Sequence, residues 1–133
     1  MIERNDAKNI TYLLSQIRQL SHAHLPVSHS FIPYDILLTI LSHALSDEPP
    51  SIKALFASLK HSESGIRYHF ERLKDMGWIE LMPSERDSRV KLCVINKNYE
   101  VRVNKYLAEV EQLTYEVSNG IRSSQFPSRQ SSR

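Results

Sequence analysis

The sequence predicts a mainly α-helical domain with one small β-hairpin. Most of the chain repeats apolar residues at spacings of three and four, the signature of amphipathic helices. Only WIELM (78–82) and VKLCVI (90–95) read as strands, and they enclose the short charged stretch SERDSR (84–89). With 133 residues, 41% hydrophobic and 24% charged, the chain suits one domain able to bury a core.

The first helix is expected from Ala7 to Leu20, where Ile10, Leu13, Leu14, Ile17 and Leu20 form one apolar stripe. SHAHLPVSHS (21–30) reads as a loop, because Pro26 and small polar residues interrupt the pattern. A second helix starts at Pro33, with Ile36, Leu37, Ile40, Leu41, Ala44 and Leu45 forming a broad apolar face. DEPP (47–50) then stops it. Ser51 is a candidate N-cap for a short helix carrying Ile52, Leu55, Phe56 and Leu59. Ser62 is a candidate cap for another, with Ile66, Phe70 and Leu73 inward and Gly77 at its C′ position. Two short helices so closely spaced form a unit compatible with helix-turn-helix geometry.

SERDSR is too poor in glycine for a tight hairpin turn, so a longer loop with organised charges is expected there. A long helix closes the fold from about Lys97 to Ser118. Val103, Tyr106, Val110, Leu113 and Val117 run along it at spacings of 3, 4, 3 and 4, an a/d seam. Such a seam suits a helix of a second chain, or the first helix of the same chain. After Gly120 the segment SSQFPSRQSSR has almost no apolar content and is expected to be disordered.

This order of elements is that of a winged helix-turn-helix with N- and C-terminal helices available for dimerisation. Residues 33 to 118, and above all SESGIRYHFERLKDMGWIELMPSERDSRVKLCVI, resemble the MarR family of bacterial transcription regulators. The motif carrying the resemblance is Leu73 followed four residues later by Gly77, then a strand, then Asp87 with Arg89. Two positions depart from it: Ser88 stands where a second arginine is frequent, and Phe56 where a small residue is common. The resemblance implies a homodimeric regulator of double-stranded DNA, with a DNA-binding lobe over 33–95 and dimerisation helices over 7–20 and 97–118. Together these make a single winged-helix domain over 1–119, followed by an Arg/Ser tail over 120–133. It also implies a small-molecule effector pocket, for which Tyr12, Tyr34 and the first loop's histidines are aromatic candidates.

The residues give these roles a chemical basis. With Ile66, Phe70 and Leu73 inward, the helix after Ser62 turns Ser64, Tyr68 and Glu71 outward and flanks them with Arg67 and Arg72. Arg67 can pair with guanine, Ser62 and Ser64 suit the N-terminal turn, Tyr68 suits phosphate or a thymine methyl, and Arg72 suits the backbone. Arg86 and Arg89 at the hairpin tip suit a minor groove, with Asp87 holding one arginine in place. A solvated helix face and an ion-paired loop are the plainer readings of both. Dimerisation is expected through Ile10, Leu13 and Ile17 on the first helix and the seam on the last.

Other functions are less well supported. Three glycines, no phosphate-cradling loop and no Gly-x-Ser-x-Gly or His-Glu-x-x-His leave catalysis without a signature, and no cofactor is expected. His22, His24 and His29 make a metal-responsive loop a minor alternative. A winged helix that binds protein instead of DNA is another. The formal charge of +2 includes Arg122, Arg129 and Arg133, and without them the rest carries −1, so net charge argues for nothing by itself. Cys93 is the single cysteine, which fits a reducing compartment. The polar start MIERNDAK and the brevity of ILLTIL suggest a cytoplasmic protein with no membrane partner.

Overall fold

The computed structural model describes residues 1–123, with side chains described for 1–120. The chain forms five helices, α1 (Arg4–His24), α2 (Ile32–Ser46), α3 (Ile52–Ser58), α4 (Glu63–Asp75) and α5 (Glu100–Ser123), with a hairpin of β1 (Ile79–Pro83) and β2 (Lys91–Ile95) after α4. A 3₁₀ turn, Lys97–Tyr99, leads into α5. These elements group into two compact units: Met1–Leu25 with the chain from Arg102 on, and Pro26–Val101.

In the second unit α2 packs on α3, α4 and β2. Ile36, Ile40, Leu55, Leu73, Ile79 and Cys93 are its fully buried side chains, and burying each large aliphatic one stabilises the fold by about 1.5–3 kcal/mol. The apolar face of α2 is covered in its first turns only. Leu45, near its C-terminal end, is 76% exposed. Pro33 sits in the first turn of α2, where a missing N–H costs nothing.

Local chemistry fixes the ends of α3 and α4. The Ser51 hydroxyl accepts from the Ala54 N–H at 3.0 Å, and the Ser62 hydroxyl from the Gly65 N–H at 3.1 Å. α4 ends in a Schellman motif: the Trp78 N–H donates to the Leu73 carbonyl and the Gly77 N–H to that of Lys74, each at 2.9 Å. Gly77 has φ 82°, which L side chains rarely adopt. Gly65 matters for space instead, since a Cβ there would stand 2.9 Å from the Ile32 Cδ1 atom.

β1 and β2 pair antiparallel with Leu81 opposite Cys93. The Cys93 N–H also donates to the Pro50 carbonyl at 2.8 Å, so the residues before α3 extend the hairpin by one bridge. Trp78, 4% exposed, stacks on Tyr99 with ring centroids 4.2 Å apart.

In the first unit α1 continues four residues past the expected end at Leu20. Ser21 is buried and shares a 2.7 Å hydrogen bond with the Tyr106 hydroxyl, and His24 Nε2 lies 3.0 Å from Glu109 Oε1. These polar partners on α5 carry the helix through a stretch with no apolar periodicity. Leu25, extended at φ −116° and ψ 155°, ends it because the residue before a proline avoids the helical region. Val103, Tyr106 and Val117 of the expected seam are buried in the single chain, while Val110, Leu113, Ile10, Leu13 and Ile17 are half-buried. Asn9 is 2% exposed and its Nδ2 has no hydrogen-bond partner among the described residues. α5 runs to Ser123, past the expected start of the tail at 120, and the rest of that tail lies outside the described residues.

Candidate nucleic-acid interface

The amphipathicity of α4 sorts its side chains sharply. Ile66, Phe70 and Leu73 are buried at 2–3% exposure, whereas Ser62, Ser64, Arg67, Tyr68, Glu71 and Arg72 are exposed. The outward face expected from the sequence is thus present as a surface. Its residues are not independent of one another. Arg67 Nη2 lies 3.2 Å from Glu63 Oε2, one turn earlier, and its guanidinium stands 5.4 Å from the centroid of Phe56 on α3. Arg72 lies 5.9 Å from the Tyr68 ring centroid, and Lys74 Nζ 3.2 Å from Glu71.

The loop between β1 and β2 is built without glycine. Ser84 and Asp87 supply side-chain acceptors two residues ahead of the N–H groups they bind, Arg86 at 3.2 Å and Arg89 at 3.1 Å. The Val90 N–H then closes a turn on the Asp87 carbonyl at 2.9 Å. Asp87 also takes the Arg89 guanidinium bidentately, Nε on Oδ1 and Nη2 on Oδ2, both at 3.1 Å. Donation from Arg89 holds the Asp87 carboxyl below its ordinary range and raises Arg89 in turn. Arg89 therefore leaves the loop tip paired with Asp87 and 89% exposed. Arg86, 83% exposed, sits 3.6 Å from Glu48, an ion pair too long for a good hydrogen bond.

Two further polar contacts flank α4. His61, in the turn before it, has Nε2 2.7 Å from Asp35 Oδ2, which ties that turn to the first turn of α2. His69 is held below the ordinary imidazole range, first by burial and then by the charge of Arg72 and by His61. The i, i+4 spacing of Glu63 and Arg67 is the signal by which their pair could have been found. No sequence spacing shows that Phe56 lies under Arg67 or that Asp35 reaches His61, since one contact joins α3 to α4 and the other joins α2 to the turn before α4.

The loop expected over 21–30 starts later than expected. His22 and His24 lie in the last turn of α1, not in a loop, and two residues apart on a helix they point about 200° from each other. His24 is instead paired with Glu109. Among the described residues no group of three His, Cys, Asp or Glu side chains is placed to hold a metal. Burial pushes the Cys93 thiol up to about 11, despite Lys74, which fits a structural residue. No helix among the described residues is long and apolar enough to cross a membrane.

The helix-turn-helix of α3 and α4, the arginine-tipped hairpin and the flanking terminal helices define the winged-helix fold of MarR-like transcriptional regulators. Solved structures with that fold include transcriptional regulator Tm0710 from Thermotoga maritima, at 17% identity and TM-score 0.58, covering 95% of this chain and 86% of that one. CouR from Rhodococcus jostii RHA1, bound to p-coumaroyl-CoA, gives 16%, 0.55, 89% and 84% for the same measures. A mutant MarR from E. coli complexed with operator DNA gives 16%, 0.52, 93% and 91%. No protein-family model matches the chain, and no curated protein matches it either.

Proposed function

We propose that the protein is a homodimeric, sequence-specific DNA-binding transcription regulator. The observation that carries the reading is the pairing of an exposed polar face on α4 with a hairpin tip that presents Arg89 on Asp87. α4 enters the major groove, where Arg67 and Ser64 reach base edges and Tyr68, Arg72 and the Ser62 end of the helix meet the backbone. The wing lies along the adjacent minor groove, where Arg89 and Arg86 meet its negative potential. Asp87 keeps Arg89 extended, which reduces the rotamer freedom lost on binding. The operator-bound MarR shows that this fold is used on DNA.

Dimerisation falls to the terminal helices. Val103, Tyr106 and Val117 are already covered in one chain, so the surface left for a second copy is the half-buried remainder of the seam with the exposed Leu14, Leu107 and Tyr115. Two copies place two α4 helices on half-sites about one helical turn apart. A small-molecule effector, of the kind CouR carries in p-coumaroyl-CoA, regulates binding.

The test is a fluorescence-anisotropy titration of a duplex selected from a random pool, with intact protein and with Arg89→Ala. Loss of affinity in the variant at unchanged thermal stability supports the wing contact. Equal affinity removes Arg89 from the interface.

A further inference from the structure

We propose that Phe56 and Glu63 are positioning residues for Arg67, fixing its guanidinium so that it sets sequence selectivity at the base pair it meets. This rests on the DNA-binding reading above and names the residues that make α4 selective.

Between α3 and α4 runs an open groove of about 580 Å³, whose lining includes Lys53, Phe56, His61, Glu63 and Arg67. Arg67 is restrained in it from two directions. Glu63, on its own helix, takes Nη2 at 3.2 Å, and the Phe56 ring, on the preceding helix, lies 5.4 Å from the guanidinium carbon. The platform is itself fixed. Phe56 meets Phe70 edge to face, with centroids 5.3 Å apart and planes at 78°, and Phe70 is 3% exposed in the core. The direction of the guanidinium is thereby tied to the core of the lobe.

Neither restraint matters much for stability. Arg67 and Glu63 are 61% and 79% exposed, and such i, i+4 pairs are screened and weak. Exposed cation–π contacts are weak as well. Their effect is on orientation. A free arginine on a helix facing DNA satisfies itself on the nearest phosphate, which carries no sequence information. With one edge held by Glu63 and one face by Phe56, the remaining N–H groups are the ones left to meet base edges. Glu63 also opposes phosphate, which lowers affinity for unrelated DNA and so adds to discrimination.

The test uses a duplex selected by the intact protein from a random pool and the same duplex with single base pairs substituted symmetrically in both half-sites. Intact protein, Arg67→Ala, Glu63→Gln, Phe56→Leu and Phe56→Tyr are titrated at fixed salt. The base pair that Arg67 reads is the one whose substitution no longer matters to Arg67→Ala; there the intact protein discriminates about ten- to hundredfold. Glu63→Gln and Phe56→Leu are expected to cut that discrimination at least threefold while leaving other base pairs unchanged. Phe56→Tyr, which keeps the ring face, retains it, and Glu63→Gln binds unrelated DNA more tightly. Full discrimination in Glu63→Gln and Phe56→Leu overturns the positioning role and leaves the DNA-binding reading intact. So does an Arg67→Ala protein with every base preference preserved, or a Phe56→Leu protein that loses preference equally everywhere. Intact protein that binds no duplex at low salt overturns both.

Discussion

Asp87 and Arg89 show how a short loop replaces glycine with side-chain chemistry. One carboxylate accepts three hydrogen bonds from Arg89, from its backbone N–H, Nε and Nη2, and the loop is shaped by that residue rather than by positive φ. Asp87→Asn keeps a backbone acceptor but loses the charged fork. It is expected to weaken DNA binding several-fold while the circular dichroism spectrum is unchanged; unchanged affinity would show that the fork has no part in binding. Cys93 is the opposite case, a reactive residue type rendered inert by burial. A disulfide reagent at pH 8 should leave the native thiol largely unmodified over the time in which it consumes the thiol of the urea-unfolded chain. Equal rates would mean that the hairpin opens readily.

Helix ends determine where α4 and the wing sit, and they were the most legible features of the sequence. Ser51, Ser62 and Gly77 act through bonds that span three to five residues, so their roles follow from local order alone. Ser62→Ala is expected to cost about 0.5–2 kcal/mol in chemical denaturation through loss of the cap on α4. α1 was misjudged because its last turn owes its helicity to Tyr106 and Glu109, some 85 residues away. The apolar face of α2 was overestimated for a similar reason: periodicity reveals which residues share a face, not how far along it the neighbouring elements reach. The Phe56, Arg67 and Glu63 arrangement is half legible, its helical pair by spacing and its aromatic platform only in three dimensions. His69 links α4 to pH. Its folded value is depressed, so the unfolded chain binds the extra proton as pH falls below about 6.5. The stability present above that pH declines below it, and His69→Gln should flatten the slope in thermal melts recorded between pH 7 and 5. An identical slope would assign the decline to other groups.

At the scale of the whole molecule the terminal helices carry both covered and exposed apolar residues. Val103, Tyr106 and Val117 are buried within one chain, while Leu14, Leu107 and Tyr115 are exposed and form the surface that the proposed dimer would use. Tyr115→Glu is therefore expected to raise the dimer dissociation constant at least tenfold in sedimentation equilibrium without lowering the helix content. A protein that is monomeric before substitution would contradict the two-half-site geometry. In the proposed dimer a formal charge of only +2 per chain is no obstacle to DNA binding: the cations assigned to DNA lie on one helix face and one loop, and each copy would contribute both.

The decisive experiment is a salt series of binding to a mixed pool of duplex DNA, comparing intact protein with the double variant Arg67→Ala, Arg89→Ala. Contacts from α4 and the wing to DNA require affinity that falls steeply as salt rises, with a shallower slope and weaker binding in the double variant. No binding at low salt, or the same slope and affinity in both proteins, would contradict the placement of α4 and the wing on DNA.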